Sequence, residues 1–343
     1  MLFFLFIILI ICILLIFYKR YSHRQCLFIF LLIIVSFITA FQDNYGPDYK
    51  GYIKIYNMQL IPKRFGFLSS NIVLILHKLE LPPQSFFVCF GIILGLMLFY
   101  TISLLRKDEI IVSKVIYLVL LIVTGRFYLE TFNTIRSTVA SLFFIASFFD
   151  LKKSNLSKIR KILFYSLGIG IHPSLALLCP FFIVKKIFFK KINAKIWFVI
   201  LIICFGLKEM QIVKIVAKFI YDHFPGFLYR NYLISKYLYT GVKGTNIIAS
   251  LNFLMLLLTL KYYKNESNSN RVFILNLLYL SFSIQYIMFG SMIFDRMISL
   301  FAFIFPYIYY YLNEKIKTRS NEILIVKLSI LGTYLLIFIK SFY

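Results

Sequence analysis

The sequence predicts an all-α, polytopic helical membrane protein. Of its 343 residues, 61% are hydrophobic, and the mean hydropathy is +0.86. Apolar runs of about 20 residues, the length that crosses a bilayer as a helix, recur along the chain. Because lipid offers the backbone no hydrogen-bond partners, these runs are expected to be helices. The net charge of +25 comes from short basic clusters between the runs, which excludes a nucleic-acid-binding domain.

Ten full spans are predicted within a single transmembrane domain, residues 1–343. They lie near 2–17, 26–41, 86–105, 111–125, 132–150, 196–208, 246–260, 272–290, 297–312 and 323–340. The first block has no basic region ahead of it, which indicates a span rather than a cleavable signal peptide. Two outer loops follow from this division, 42–85 and 209–245, and the short apolar segment 68–79 is predicted to be an interfacial helix.

Positive charge marks the cytoplasmic side of a membrane protein. Six basic stretches, which hold more than half of the 38 lysines and arginines, are 19–24, 106–109, 151–161, 185–195, 261–271 and 313–322. All six can be cytoplasmic only if the segment between the third and fourth does not cross. Both termini are then expected outside.

That segment, "KILFYSLGIGIHPSLALLCPFFIVKK" (161–186), is therefore predicted to be a re-entrant helical pair with His172 at its tip. Each half spans roughly 15–18 Å, about half of the hydrocarbon core. Pro173 disfavours α geometry at His172, and Gly168 and Gly170 loosen the preceding turn. The alternative is one kinked span, with His172 hydrogen-bonded inside the bundle.

The first outer loop begins "FQDNYGPDYKGYIKIY" and carries two carboxylates among tyrosines. Asp43 and Asp48 could accept protons from sugar hydroxyl groups, while the tyrosines offer rings on which a sugar can stack. Asn-Tyr-Gly-Pro-Asp is also good turn chemistry, so a solvated turn is the alternative.

Arg136 lies inside the apolar block "FNTIRSTVASLFFIASFF". An arginine at mid-span costs about 2.5–3.5 kcal/mol, so it normally faces protein or a watery cavity. At helical spacing it shares a face with small and polar residues, namely Asn133, Ser137, Ala140 and Ser141. That stripe suits close helix packing or a cavity wall, but the arginine still needs an acceptor.

Three further arginines are predicted near the same outer face. Arg126 lies at the mouth of that span, where an exposed ion pair with a nearby glutamate is the alternative. Arg230 belongs to the basic, tyrosine-rich loop 209–245, which fits an anionic substrate with a glycan part. Arg296 begins a late span, where helix capping and membrane anchoring explain it equally well.

These residues predict glycosyl transfer without a metal or another cofactor. The five cysteines form no CxxC pair, and no acidic pair or His/Asp set suited to a metal is found. Guanidinium groups bind phosphate oxygens in bidentate fashion, so the arginines could hold a phosphate-linked donor. His172 or Asp48 could remove the proton from an attacking hydroxyl, while the arginines offset the charge of a departing lipid diphosphate.

Four segments carry a resemblance to a known family. They are "NYGPDYKGYIKIY" (44–56), "FNTIRSTVASLFFIASF" (132–148), "GIHPSLALLCPFFI" (170–183) and "DRMISLFAF" (295–303). In this order they resemble the EpsG-type exopolysaccharide proteins and the related Wzy-type O-antigen polymerases of bacteria. The family often has an arginine shortly before the Gly-x-Asp stretch, where this chain reads "FQDN"; Arg126 is the candidate replacement.

The resemblance implies a multi-pass enzyme of the bacterial cytoplasmic (inner) membrane, with a helix arrangement compatible with GT-C glycosyltransferases. Such an enzyme polymerises oligosaccharide repeat units carried on undecaprenyl diphosphate, at the non-cytoplasmic face. The site residues carried over are Asp48, Arg136, His172 and Arg296. Membrane lipid, a flippase and a chain-length regulator are the implied partners.

Other functions stay open at this point. A lipid-linked oligosaccharide flippase or another polysaccharide transporter often has paired broken helices in two related halves, whereas this sequence has one broken hairpin. An O-antigen ligase shares the donor but usually needs a larger outer loop than 209–245. A membrane acyltransferase or a scaffold of an export complex fits the residues less well.

Overall fold

The structure is a computed structural model that describes residues 25–43, 47–58, 61–62, 65–123, 134–151, 154–208, 212–224, 246–287, 299–316 and 332. Within these ranges the chain is helical, with short turns and no strand. It divides into two compact units, Met1–Lys185 and Lys186–Tyr343. Whether they form the single transmembrane domain predicted from the sequence is untested.

The first unit is built around one buried helix. Its elements in chain order are α1 (Gln25–Ala40), α2 (Pro47–Met58), α3 (Phe67–Lys78), α4 (Gln84–Lys107), α5 (Lys114–Val123), α6 (Ile135–Phe149), α7 (Asn155–Ile171), the 3-10 helix Pro173–Leu178, and α8 (Cys179–Phe188), of which the last three residues belong to the second unit. Every residue of α6 from Thr138 onward is buried. α4 and α7 pack against α6, and α1 packs against α4.

α6 and α7 are antiparallel neighbours in close contact. The Ser147 hydroxyl donates to the Lys161 carbonyl at 2.8 Å. Seven residues further along each helix, a Cβ placed on Gly168 would lie 3.2 Å from the Ala140 carbonyl oxygen. The missing side chain at Gly168 therefore permits the approach, as small residues do between membrane helices. The same register, continued by one turn, brings the first turn of α6 level with the end of α7.

After α7 the chain reverses direction at His172. The backbone there is extended, with φ −141° and ψ 102°, as expected of a residue that precedes a proline. The Tyr165 hydroxyl, on α7, donates to a carbonyl of the following 3-10 helix at 3.1 Å. Its ring lies 5.0 Å from that of Phe182 on α8, so α8 returns alongside α7.

Both ends of this hairpin lie at one end of α6. The Lys185 ammonium donates to the Phe148 carbonyl, close to where Lys161 meets α6. The tip lies toward the opposite end of α6. This is the shape predicted for residues 161–186; its placement in the membrane stays a prediction.

A buried carboxylate fixes the turn between α6 and α7. Asp150 is 2% exposed and accepts hydrogen bonds from Arg160 Nε and from the Ser157 hydroxyl, both at 3.0 Å. The hydrogen bond that Arg160 donates to Asp150 raises the pKa of Arg160 above its ordinary value. The pair closes the helical hairpin on the side that carries the basic stretch 151–161.

The second unit is held by a satisfied polar core. Its elements are α9 (Ala194–Leu207), α10 (Ile212–His223), α11 (Asn246–Tyr263), α12 (Ser269–Ile287), the 3-10 helix Ser299–Ile304, and α13 (Tyr307–Lys315). The Asn276 amide oxygen accepts from Trp197 Nε1 at 2.9 Å and from the Tyr263 hydroxyl at 2.7 Å. Its amide nitrogen donates to two carbonyls in the segment before α9. A buried amide so satisfied fixes these elements together.

Charged pairs join the turn between α11 and α12 to the end of α13. Lys315 lies 2.9 Å from Glu266, and Arg271 lies 3.0 Å from Glu314. Glu266 is only 4% exposed, so this pair is largely removed from water.

Several helices expose apolar faces. Gln84–Lys107 is the one helix in the described ranges that is long and apolar enough to cross a membrane; shorter apolar helices are Gln25–Ala40, Phe67–Lys78, Ile135–Phe149 and Ala194–Leu207. Ile33 on α1 is 61% exposed and Leu96 on α4 is 65% exposed. Contiguous exposed apolar surface marks contact with a membrane or a partner, so these helices are consistent with a membrane protein. The number of spans stays a prediction.

Two predicted elements differ in the structure. The loop predicted at 42–85 contains α2 as well as α3, the helix expected at 68–79. Proline suits a first helical position and a carboxylate suits the first turn, so Pro47 and Asp48 begin a helix. The span predicted at 297–312 is a 3-10 helix followed by α13, because Pro306 lacks the N–H that a continuous helix needs. The spans predicted at 2–17 and 323–340 lie outside the described residues, apart from residue 332.

Candidate functional site

Arg136 lies in the first turn of α6 and is held by Phe65. Its Nη1 donates to the Phe65 carbonyl, and its guanidinium carbon lies 3.7 Å from the centroid of the Phe65 ring. The Tyr52 ring lies 5.4 Å away. Cation–π contacts of this kind contribute from about 0.5 to 2 kcal/mol, more where water is excluded. The acceptor that an arginine in an apolar block requires is thus a backbone carbonyl.

The edge of this guanidinium that carries Nε has hydrogen-bond donors that are not used by Phe65. Arg136 Nε is buried and has no hydrogen-bond partner, and within the described ranges the bond to Phe65 is the only one that the side chain makes. Nε and Nη2 form the side-on fork that binds carboxylate and phosphate in bidentate fashion. An orphaned buried donor is costly, so this edge is suited to an anionic ligand.

The segment that holds Arg136 is docked onto the end of α7. Gly66 has φ +92°, a conformation that residues with a side chain rarely adopt. A Cβ at Gly66 would lie 2.5 Å from the Ile171 carbonyl oxygen. The Ser69 hydroxyl donates to that same oxygen at 3.0 Å. Arg136 and His172 are therefore linked through the short segment from Phe65 to Ser69 and the last residue of α7.

His172 stands at the tip of the hairpin, half-buried. Its backbone N–H bonds to the Gly168 carbonyl at 2.9 Å, which closes α7. Its ring nitrogen Nδ1 is 2.6 Å from the Ser174 hydroxyl. A hydrogen bond at one ring nitrogen selects the tautomer and orients the ring, which is the arrangement that a histidine acting in proton transfer requires.

Asp48 lies in the first turn of α2, and Asp43 lies four residues before that helix begins. Asp48 is half-buried and precedes Tyr52 by one helical turn, so it lies on the face whose tyrosine contacts Arg136. Asp43 is exposed and accepts a hydrogen bond from the Tyr49 hydroxyl at 3.3 Å. The Tyr49 ring stacks on Phe87 at 4.9 Å, which anchors this end of α2 to α4.

The structure thus brings three of the predicted site residues into one region of the first unit: Asp48, Arg136 and His172. Arg126, Arg230 and Arg296 lie outside the described residues, so their place in the site stays a prediction. No group of three or more His, Cys, Asp or Glu side chains able to hold a metal ion is found in the part of the chain that the structure describes.

Sequence reasoning missed the contribution of Phe65, Gly66 and Ser69. An arginine inside an apolar block signals that an acceptor exists, but any residue can supply a backbone carbonyl, so the sequence does not say which. The one available signal was the pair Phe65-Gly66 immediately before an apolar helix, since glycine there indicates an unusual backbone.

Helices with exposed apolar faces and a region that gathers an arginine, a histidine and a carboxylate are consistent with a helical membrane protein. The chain belongs to the EpsG family, whose family model matches residues 26–343. The resemblance found in four segments of the sequence is thereby confirmed, and membership indicates a role in polysaccharide biosynthesis. No curated protein and no solved structure matches the chain.

Proposed function

We propose that this protein polymerises a bacterial surface polysaccharide at the outer face of the cytoplasmic membrane. The donor is a glycan on undecaprenyl diphosphate, and the acceptor is a second lipid-linked repeat unit. The acceptor hydroxyl oxygen bonds to the anomeric carbon of the donor, and the bond from that carbon to the diphosphate breaks. The hydroxyl proton passes to a base on the protein, and undecaprenyl diphosphate leaves.

The observation that carries this proposal is the free edge of Arg136. The residue is immobilised on Phe65 through its Nη1 and its face, while Nε remains without a partner. Because the fork formed by Nε and Nη2 is already held in place, it binds two phosphate oxygens with little loss of conformational entropy. Placed against the leaving diphosphate, it stabilises the charge that develops as the glycosidic bond breaks.

His172 and Asp48 are the candidates for the base. His172 follows Ile171, whose carbonyl abuts Gly66 next to Phe65, and Asp48 lies one helical turn before Tyr52, whose ring contacts Arg136. General-base catalysis of this kind contributes about 10²–10⁴-fold to a rate. Of the α2 tyrosines, Tyr52 and Tyr56 are buried, 8% and 4% exposed, which leaves the half-buried Tyr49 as the candidate ring for the sugar.

The hairpin supports an outer location for the site. Its two ends lie beside the basic stretches 151–161 and 185–195, which are predicted to be cytoplasmic, and His172 lies at its opposite end. Within the membrane, the non-helical backbone at the tip of such a re-entrant pair must face protein or a water-filled cavity.

The test is a reconstituted reaction. The purified full chain, in vesicles with undecaprenyl-diphosphate-linked oligosaccharide, is expected to release undecaprenyl diphosphate and to lengthen the glycan. Arg136→Ala is expected to abolish both products, although the variant protein still binds detergent and inserts into the membrane as the wild type does. Arg106→Ala, an exposed arginine in the last turn of α4, is the matched control and is expected to behave as the wild type.

A transporter would give a different result. Movement of labelled lipid-linked oligosaccharide across the vesicle without any release of undecaprenyl diphosphate would overturn the polymerase proposal in favour of a flippase. In cells, a strain that lacks the protein is expected to display single repeat units, whereas loss of all surface glycan indicates a missing flippase.

A further inference from the structure

α10 (Ile212–His223) has a strongly two-sided sequence. In "IVKIVAKFIYDH" the aliphatic and aromatic side chains recur at helical spacing, Lys218 lies on the opposite side, and Asp222, seven residues after Ile215, lies at the edge of the apolar face. Within this helix Ile215 is 63% exposed, Val216 48% and Phe219 55%. An apolar face that is exposed to this extent is unfavourable in water, so lipid or protein is expected to cover it.

The position of α10 in the chain indicates that lipid covers this face. Only three residues separate it from Lys208, which directly follows α9, and an extended chain advances at most about 3.6 Å per residue, so α10 begins within roughly 15 Å of Lys208. α9 itself is apolar and carries exposed Val199 and Ile203, at 52% and 53%. A helix that leaves a lipid-facing helix on so short a tether starts at the membrane surface.

We propose that α10 lies flat on the bilayer surface, with Ile215 and Phe219 in the lipid and Lys218 toward water. Helices of this kind insert their apolar face about 5–10 Å into the boundary between headgroups and acyl chains. Lysine on the opposite side lies at headgroup level, where its long stem lets the ammonium reach water and anionic phosphates. The predicted outer loop 209–245 is then anchored to the membrane at its start, next to α9.

The proposal does not depend on the polymerase reaction. It requires only that α9 faces lipid. The competing cover is protein, namely another part of this chain, and the test must separate lipid, protein and water as the surroundings of Phe219.

Depth-dependent fluorescence quenching makes this separation. The five native cysteines are replaced, and Phe219→Cys or Lys218→Cys is introduced into the full chain and labelled with a small fluorophore. The protein is placed in vesicles of phosphatidylethanolamine and phosphatidylglycerol. Spin-labelled lipid is expected to quench the probe at position 219 about threefold more strongly than the probe at 218, because the two positions are about 100° apart around the helix and only 219 lies within the apolar face. Iodide in the water is expected to quench the two in the reverse order.

Two outcomes overturn the proposal. If neither quencher reaches the probe at 219, protein covers the face; if iodide quenches it more strongly than spin-labelled lipid, the face is in water. Ile215→Cys, one turn earlier on the same face, repeats the measurement should the first variant insert poorly.

Discussion

The guanidinium carbon of Arg136 lies 3.7 Å from the centre of the Phe65 ring, and the same side chain donates to the Phe65 carbonyl. One residue therefore fixes both the plane and the position of the arginine. Because Phe65 is followed by Gly66, which abuts the carbonyl of Ile171, the arrangement reaches the residue before His172.

Arg136→Lys is expected to fail as a substitute for arginine. Lysine keeps the positive charge but has no planar fork, so it cannot bond Phe65 and present two donors to a diphosphate together. Loss of charge-assisted hydrogen bonds worth about 1.5–3 kcal/mol predicts a fall in kcat/KM of roughly 10–100-fold. The measurement is release of undecaprenyl diphosphate at varied donor concentration. Arg106→Lys is the control, and wild-type kinetics for Arg136→Lys would show that charge alone suffices.

Gly66→Ala is expected to destabilise the first unit. The new Cβ meets the Ile171 carbonyl at 2.5 Å, and the residue must keep a φ of +92°. Strain of this kind costs about 1–3 kcal/mol, which thermal unfolding of the purified protein in detergent should register as a lower midpoint. Gly51→Ala is the matched control, since nothing lies within 4 Å of its Cβ and it is inside α2. Equal midpoints for the two variants would contradict the docking of Gly66 on α7.

The broad architecture could be predicted from the sequence because apolar runs and prolines determine where nearby helices begin and end. α4, α6 and α9 begin and end within a few residues of the predicted spans, and Pro173 marks the tip of the hairpin. α2 lies in a segment predicted to be an outer loop, because Gly-Pro-Asp residues favour both turns and helix starts, and only the packing of Tyr52 against Phe86 and Phe87 separates the two. The Phe65 acceptor depends on a tertiary contact that no local pattern reports.

Ser174→Ala is expected to alter the pH dependence of the reaction as well as its rate. The Ser174 hydroxyl lies 2.6 Å from His172 Nδ1, so its removal frees the ring to reorient. One hydrogen bond is worth about 0.5–1.5 kcal/mol net, which predicts a turnover roughly 2–10-fold lower. Ser174→Thr should restore it, because the hydroxyl is retained.

Ser166→Ala, an exposed serine on α7, is the control for that experiment. A purely structural role of Ser174 would lower the amount of folded protein and leave the shape of the pH–rate profile unchanged. A displaced profile with normal folding indicates that His172 takes part in proton transfer.

Acid is expected to weaken the second unit through Glu266, which lies in the turn between α11 and α12. Burial alone raises the pKa of Glu266, but the ion pair with Lys315 and the hydrogen bond from the Asn268 backbone N–H outweigh it, so the pKa lies below its ordinary value. A depressed carboxyl pKa stabilises the folded state above the unfolded pKa of about 4.3, and this stabilisation is lost as pH falls through the folded value.

Glu266→Gln should therefore unfold at a lower temperature than the wild type at about pH 7, and the gap should narrow as the pH falls below the unfolded pKa of about 4.3 and through the lower pKa of folded Glu266. Thermal unfolding midpoints of both proteins across that range give the comparison. Asp222→Asn, an exposed carboxylate on α10, controls for general loss of negative charge and should track the wild type. A gap that stays constant with pH would mean that Lys315 does not hold Glu266 in its charged form.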